Sequence, residues 1–322
     1  MEKRSSPSGN KMLKDRFGAL EISFGWLFAI VAGGVILFLA IYLGSQIIGS
    51  SDETVSAEVG EEINILLNPL ETSFETAQTT SITINLDTRI NNICSNETPF
   101  GKQSLNIDQK RFREWTETNT RVSSYNKYIF SKSQTEGKTF YLFSKPFDFP
   151  FKIANLIYLT SADDVYCFTN APASIKQEIL NLNQNNLIVD NCTKGNIKVC
   201  FSGTCEIEVD YSDKEVRKGK NIFYFEDIGD SNALMYAAIF SDKEIYECQV
   251  QRLMLRLKEL SFIYYGKEIL TRKIGCDEGT GIVLTELSNF ADEINDSRDL
   301  QSLKIIADDV EEKNNARRCL LW

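Results

Sequence analysis

Residues 22–48 read ISFGWLFAIVAGGVILFLAIYLGSQII, 27 residues without a charge and with only Ser23, Ser45 and Gln46 as plainly polar side chains. At 1.5 Å per residue a helix of this stretch is about 40 Å long, more than the ~30 Å hydrocarbon core of a bilayer, so it spans with some tilt. A buried helix of a soluble domain keeps a polar face at a period of 3.6 residues, whereas this stretch is apolar all round. Its length also exceeds the roughly 7–15 apolar residues of a secretory signal, and Ile47-Ile48-Gly49 is not a small-x-small cleavage site. The stretch reads as a transmembrane helix retained as an anchor.

Charge gives the orientation. Lys3, Arg4, Lys11, Lys14 and Arg16 precede the span, no Lys or Arg occurs from Phe17 to Thr88, and the first segment beyond the span carries Asp52, Glu53, Glu58, Glu61 and Glu62. Basic residues flanking a span stay in the cytoplasm, which places the N-terminus inside and everything after residue 48 outside. All eight cysteines, Cys94, Cys167, Cys192, Cys200, Cys205, Cys248, Cys276 and Cys319, lie beyond the span. An even number confined to one side suits disulfides in an oxidising compartment. The rival reading, a zinc site, lacks any CxxC pair and any histidine.

Working outward, residues 1–21 form a basic cytoplasmic tail too short to fold as a signalling domain. It ends in Arg16-Phe17-Gly18-Ala19-Leu20-Glu21. A basic leader, a Gly, an acidic residue shortly after it and a long apolar helix resembles the N-terminus of type IV pilin-like proteins, especially the variable archaeal ones. The resemblance implies cleavage after Gly18 and a role for Glu21 in meeting the new amino terminus of a neighbouring subunit. Glu21 stands third after Gly18 where the common pattern has it fifth, and Phe17 stands where archaeal signals usually carry a basic residue. Without that resemblance, Glu21 is an acidic residue favourably placed at a helix N-terminus. The chain as a whole is similar to uncharacterised archaeal single-span membrane proteins, a likeness that carries topology and no mechanism.

The expected fold class is α+β: the transmembrane helix, then a β-rich and α/β extracytoplasmic domain ending in a helical subdomain. Within the span Gly25, Ala29 and Gly33 recur every fourth residue, a face that allows lateral helix association. Residues 49–72 are predicted as a stalk helix, with Val55, Val59, Ile63, Leu66 and Leu67 at helical spacing and Pro69 near its end. Residues 73–150 are predicted β-rich: Ile82, Ile84 and Leu86 alternate with polar residues, and turns are expected at Pro99-Phe100-Gly101 and Glu136-Gly137. Residues 151–241 are predicted α/β, with strands at 156–159, 165–169 and 187–190 and a helix over 173–182 opened by Pro172. An antiparallel hairpin pairing Val199 with Ile207 through Ser202-Gly203-Thr204 puts Cys200 and Cys205 on opposite faces, which predicts that they do not bond to each other. Strands over 221–225 and 233–240 complete the sheet. Residues 242–322 are predicted as three helices, 243–265, 282–294 and 300–310, each with one apolar face.

The chemistry is bounded by what is missing. With no histidine in 322 residues, Ser-His-Asp and Cys-His catalysis and histidine metal ligation are excluded. No GxSxG, phosphate-binding loop or GxGxxG occurs. Asp163-Asp164 and Asp308-Asp309 are adjacent pairs of the kind found on solvated loops and helix faces. Asp210-Tyr211-Ser212-Asp213-Lys214 resembles half of an adhesion-type metal motif, with Lys214 where a second Ser is needed, and Asp277-Glu278-Gly279 lacks calcium-loop spacing. No catalytic, cofactor-binding or metal residue is assigned, and no cofactor is expected. The chain carries 35 Lys and Arg against 45 Asp and Glu, of which five and three precede the span, leaving about −12 beyond it. That charge argues against a nucleic-acid partner. Asn96, Asn191 and Asn295 head Asn-x-Ser/Thr sequons at a frequency expected by chance.

Three readings remain: an anchored, non-catalytic ectodomain with a binding or cell-surface structural role, a pilin-like subunit or accessory processed after Gly18, and a surface enzyme using carboxylate or Ser/Lys chemistry. The partners implied are the lipid bilayer through residues 22–48 and a protein partner not identified by sequence.

Overall fold

The computed structural model of the protein describes residues 24–72, 78–97, 100–111, 114–226, 231–276 and 279–322. The chain divides into two units between Ser51 and Asp52. In the first, the described residues belong to helix α1 (Phe24–Thr72). Its segment Gly25–Gly44 is long and apolar enough to cross a membrane, with no side chain buried. Gly25 and Gly33 have open space where a Cβ would stand.

The second unit begins with the remainder of α1. Gly60, Ile63, Leu67 and Leu70 are buried while Glu61, Ile65 and Asn68 are exposed, the spacing of one apolar stripe on a helix. The helix runs three residues past Pro69. A proline inside a helix removes one donor, and the Asn155 amide donates to the Leu70 carbonyl at 3.1 Å, satisfying one of the acceptors left at the helix end.

That stripe covers one face of a six-stranded sheet built from β1 (Gln78–Ser95), β2 (Lys102–Arg111), β3 (Glu114–Ser124), β4 (Tyr128–Phe130), β5 (Gln134–Asp148) and β6 (Lys152–Ser161). The order is β3-β2-β1-β5-β6-β4, antiparallel except where β4 runs parallel to β6. Ile82, Ile84, Ile90, Leu105, Phe140, Leu142 and Ile157 pack with Ile63, Leu67 and Leu70 into one core. The opposite face sends Tyr128, Phe130, Phe143, Phe147 and Tyr158 into a second, larger core.

Two details of this sheet differ from the sequence expectation. Glu136-Gly137 is not a turn: both residues lie inside β5, opposite Thr88 and Arg89 of β1. There β1 advances from Thr83 to Thr88 while β5 advances only from Thr139 to Gly137, so the pairing is bulged. Gly137 takes φ +154, and a Cβ on it would collide with the Ser161 hydroxyl, so glycine marks a bulge and a close approach here. The aromatic stretch 147–151, with a cis Phe149–Pro150 bond, turns β5 back into β6, so the first sheet holds strands on both sides of residue 150.

The second sheet contains β7 (Tyr166–Thr169), β8 (Leu187–Val189), β9 (Ile197–Cys200), β10 (Ile207–Asp210), β11 (Glu215–Lys218) and β12 (Asn221–Tyr224), in the order β12-β11-β10-β9-β7-β8. Helix α2 (Ala173–Leu182) links the parallel pair β7 and β8, with Pro172 at its N-cap and Asn183 closing it in a left-handed conformation.

The segment 233–240, expected as a strand, is helix α3 (Ala233–Phe240). All eight of its residues are buried, and a helix enclosed on every side needs no polar face, so a short apolar run does not distinguish it from a buried strand. Helices α4 (Lys243–Arg272), α5 (Thr280–Glu293) and α6 (Leu300–Asn315) follow, with a 3-10 turn at Ser297–Asp299. Their apolar faces join the large core, where Phe143 stacks on Tyr158 at 4.4 Å and Phe240 meets Tyr166 edge-on at 4.9 Å.

All eight cysteines are paired: Cys94–Cys248, Cys167–Cys192, Cys200–Cys205 and Cys276–Cys319. The bond between Cys200 and Cys205 overturns the expectation that these two stay apart. The pairing of Val199 with Ile207 is present, but β9 and β10 run parallel rather than antiparallel. Parallel neighbours ordinarily need a crossover of a dozen or more residues. Here β9 is four residues long, about 13 Å, and the six residues 201–206 reach about 20 Å when extended, enough to return alongside it. The returning chain carries Cys205 back past Cys200.

Candidate functional site

Each acidic pair singled out in the sequence has a structural use. Asp164, in the turn after β6, pairs with Lys132 at 2.7 Å. On α6, Asp308 pairs with Lys304 at 2.6 Å and Asp309 with Lys313 at 2.7 Å, both one helical turn apart. Asp210 accepts the amides of Ser212 and Asp213 at 3.1 and 3.0 Å, closing the turn from β10 to β11 rather than presenting a metal loop. Among the described residues no group of three or more His, Cys, Asp or Glu is arranged to hold a metal ion. Asp277 and Glu278 lie outside the described residues, as do Gly18, Glu21 and the basic residues of the leader.

Four ionic groupings appear that no sequence pattern marks. The first lies where the two sheets approach the α3–α4 junction. Lys218, at the end of β11, donates to the Ser241 carbonyl at 2.7 Å and sits 4.9 Å over the Phe223 ring. Burial pushes its pKa down to about 7, with Asp242 acting against the shift and Lys132 adding to it. Asp242 in turn accepts from the Ser133 amide and hydroxyl at 2.7 and 2.5 Å. Burial, reinforced by Asp164 and Asp242, raises the Tyr166 phenol. An amine poised near neutrality is the kind of group acid–base chemistry uses. Its geometry is that of a cap, because it points at the C-terminal end of α3, where a cation is favoured, and the Ser241 hydroxyl is enclosed.

The second grouping joins β5, α2 and α3. The Lys145 ammonium bonds to Glu178 and lies 4.9 Å from the Tyr236 ring centre, and Tyr236 donates to the other Glu178 oxygen at 2.9 Å. Burial and the neighbouring carboxylate hold the Tyr236 phenol well above its ordinary value. The third is Arg252 of α4, 0% exposed and neutralised by no carboxylate among the described residues. It donates to the carbonyls of Phe100, Lys127 and Tyr125 at 3.2, 3.0 and 2.9 Å and to Gln249 Oε1 at 2.7 Å. Burial lowers its pKa to about 10. In the fourth, beside Cys276–Cys319, the buried Glu268 pairs with Arg317 at 3.3 Å and accepts the Gly279 amide at 3.1 Å at the start of α5. These three groupings tie elements together through buried charge, and Glu268 of the fourth also lines the cleft between α4 and α5.

Two concavities lie among the C-terminal helices and a third beside the second sheet. A shallow groove of about 500 Å³ lies between α5 and α6, lined by Ile282, Glu286, Asn289, Phe290, Glu293 and Ile306. A cleft of about 290 Å³ between the end of α4 and the start of α5 shares Ile282 with it and adds Tyr265, Glu268 and Arg272. A third, of about 250 Å³, is polar and lies beside the Cys200–Cys205 loop and Arg217. Leu270, Ile274, Ile282 and Ile305, all in this helical region, are each more than 60% exposed.

Fold and surface together define a disulfide-closed α+β domain that follows an apolar helix in the chain, with exposed grooves among its C-terminal helices. Comparison of the chain with protein-family models, with curated proteins and with solved structures finds no match.

Proposed function

We propose that the protein is a single-pass membrane protein, N-terminus cytoplasmic, whose ectodomain binds a partner or helps to build the cell surface without catalysing a reaction. The observation that carries this reading is the combination of a bare apolar helix with four disulfides in the domain that follows it. In Gly25–Gly44 no side chain is buried, and large residues such as Trp26, Phe28, Ile36 and Phe38 face outward. Apolar surface of that extent is favourable in hydrocarbon and unfavourable in water. Pairing of every cysteine suits an oxidising compartment. Lys218, the amine that the surface-enzyme reading would use, has its ammonium committed to a helix end. The pilin-like reading depends on Gly18 and Glu21.

The test is intact mass and N-terminal sequencing of the protein extracted from its native membrane without reductant, with protease shaving of sealed cells. The anchored-ectodomain reading expects an unprocessed N-terminus, a mass eight hydrogens below the reduced chain, and a domain cleaved from outside. A new N-terminus at Ala19 replaces it with the pilin-like subunit. A domain protected from external protease while the leader is cleaved reverses the topology and overturns it.

A further inference from the structure

We infer that the groove between α5 and α6 docks a basic amphipathic helix presented by a partner protein; the inference deepens the reading of this domain as a binding ectodomain. The floor of the groove is apolar, made by Phe290 of α5 and Ile306 of α6, both partly packed on the large core. Its rim carries Ile282, 79% exposed, and two carboxylates, Glu286 and Glu293. Glu286 and Glu293 are seven residues apart, two helical turns or about 10.5 Å along α5. Neither is paired with a cation among the described residues, whereas the nearby acids Asp292 and Asp308 are held by Lys258 and Lys304. The helix therefore presents unneutralised negative charge on the same edge as its exposed isoleucine.

The occupant that matches is a helix with aliphatic residues at i, i+3 or i+4 and i+7 to cover Ile282, Phe290 and Ile306, and with Lys or Arg seven residues apart facing the two glutamates. A second copy of this chain fits less well, because the ectodomain carries about −12 of net charge and its exposed faces repel one another. An anionic membrane surface is disfavoured on the same ground. A drug-sized molecule needs enclosure on most sides, which a shallow, open groove does not give.

The test uses the full chain, disulfides intact, in discs of zwitterionic lipid. The probe is a fluorescent synthetic helix of about 18 residues with a leucine stripe and two lysines seven apart, read by anisotropy against empty discs. Saturable binding is expected, weakened about tenfold or more by the double change Glu286→Lys with Glu293→Lys, and weakened several-fold by Ile282→Ser. The same charge change at Glu311→Lys with Glu312→Lys, elsewhere on α6, is expected to leave binding within about twofold. Ile282, Glu286, Glu293 and Glu312 are exposed and Glu311 is half-buried, and a denaturation midpoint of each variant checks that it folds. No saturable binding, binding unaffected by the Glu286 and Glu293 changes, or equal loss in the Glu311 and Glu312 control overturns the inference, the last showing general charge attraction. Loss of probe binding as the protein concentration rises overturns it in favour of self-association through this face. The disc assay is blind to which side of a membrane the domain occupies, so its failure leaves the anchored-ectodomain reading standing, and a reversed topology in sealed cells leaves the groove chemistry standing.

Discussion

At the scale of single residues, the largest commitment is a charge buried without a counter-charge among the described residues. Arg252 is enclosed by neutral acceptors, the carbonyls of Phe100, Lys127 and Tyr125 and the Gln249 amide oxygen, and its guanidinium lies 4.8 Å from the Tyr128 ring centre. Gly101, at φ +60, makes room for it: a Cβ there would stand 2.5 Å from Arg252 Cγ. A lysine cannot satisfy a fork of acceptors spread over three chain segments, so Arg252→Lys is expected to cost about 2 kcal/mol or more, read as a lower denaturant midpoint with disulfides intact. A shift within error would show that the carbonyls find other donors. Lys218 gives a prediction in pH. Its folded pKa, about 7, lies below its unfolded value of 10.5, so between those limits the unfolded chain binds the extra proton and stability rises with pH. The gain from this one group is on the order of 1 kcal/mol per pH unit from about pH 7 to 9, and is absent well below pH 7, where both states are protonated. Lys218→Met is expected to flatten that rise in denaturation midpoints measured across the window; an unchanged slope would assign the pH dependence to other groups. Neither residue was legible in the sequence. The lysine of Arg217-Lys218-Gly219-Lys220 and an arginine in a helical stretch look like ordinary surface charge until tertiary structure half-buries the one and encloses the other.

At the scale of elements, the sequence was readable wherever a period had one solvent face to register against. Ile63 and Leu67 of the stalk stripe, α2, the three C-terminal helices and the alternation at Ile82 and Ile84 all have such a face and stand where expected, although α4 runs on to Arg272 and α6 to Asn315; the side chains of Val55, Val59 and Leu66 lie outside the described residues. Elements without one were misread. ALMYAAIF at 233–240 is apolar on every side and could not be told from a strand, and Gly137 gave the signal of a turn while serving a bulge. The β9–β10 pair kept the expected Val199–Ile207 pairing alone and ran in the other direction, because alternation fixes which residues face the core and says nothing about which way the partner strand runs. The candidate groove was not foreseen either: the apolar face expected of the 282–294 helix says nothing about an isoleucine beside that face, and Ile282 is 79% exposed. The stalk supplies the matching experiment. Leu67 is 0% exposed against the sheet and Ile65, two residues away, is 58% exposed. Leu67→Ala is expected to destabilise the domain by about 2–4 kcal/mol and Ile65→Ala by less than about 0.5. Equal effects would mean that this turn of α1 is not part of the folded domain.

At the scale of the whole molecule, one sheet separates two cores, and the cross-links differ in what they constrain. Cys94–Cys248 joins β1 to α4 across 154 residues of chain, and so fixes the first sheet to the helical part that packs on its other face. Cys276–Cys319 closes 43 residues, Cys167–Cys192 closes 25 and Cys200–Cys205 only 5. A cross-link stabilises mainly by removing conformations from the unfolded chain, and the entropy removed grows with the logarithm of the loop it closes. Replacing both cysteines by alanine, one pair at a time, should therefore cost about 5 kcal/mol for Cys94–Cys248 and about 2 kcal/mol for Cys200–Cys205, with the other two between. Denaturant midpoints of the oxidised variants measure the order. The informative exception is the shortest loop. If removing Cys200–Cys205 costs as much as removing Cys94–Cys248, unfolded-chain entropy is not its main contribution, and the bond is needed to hold a parallel pair joined by only six residues. If its cost is small, the pairing of Val199 with Ile207 and the burial of Val199, Ile207 and Val209 hold that direction unaided.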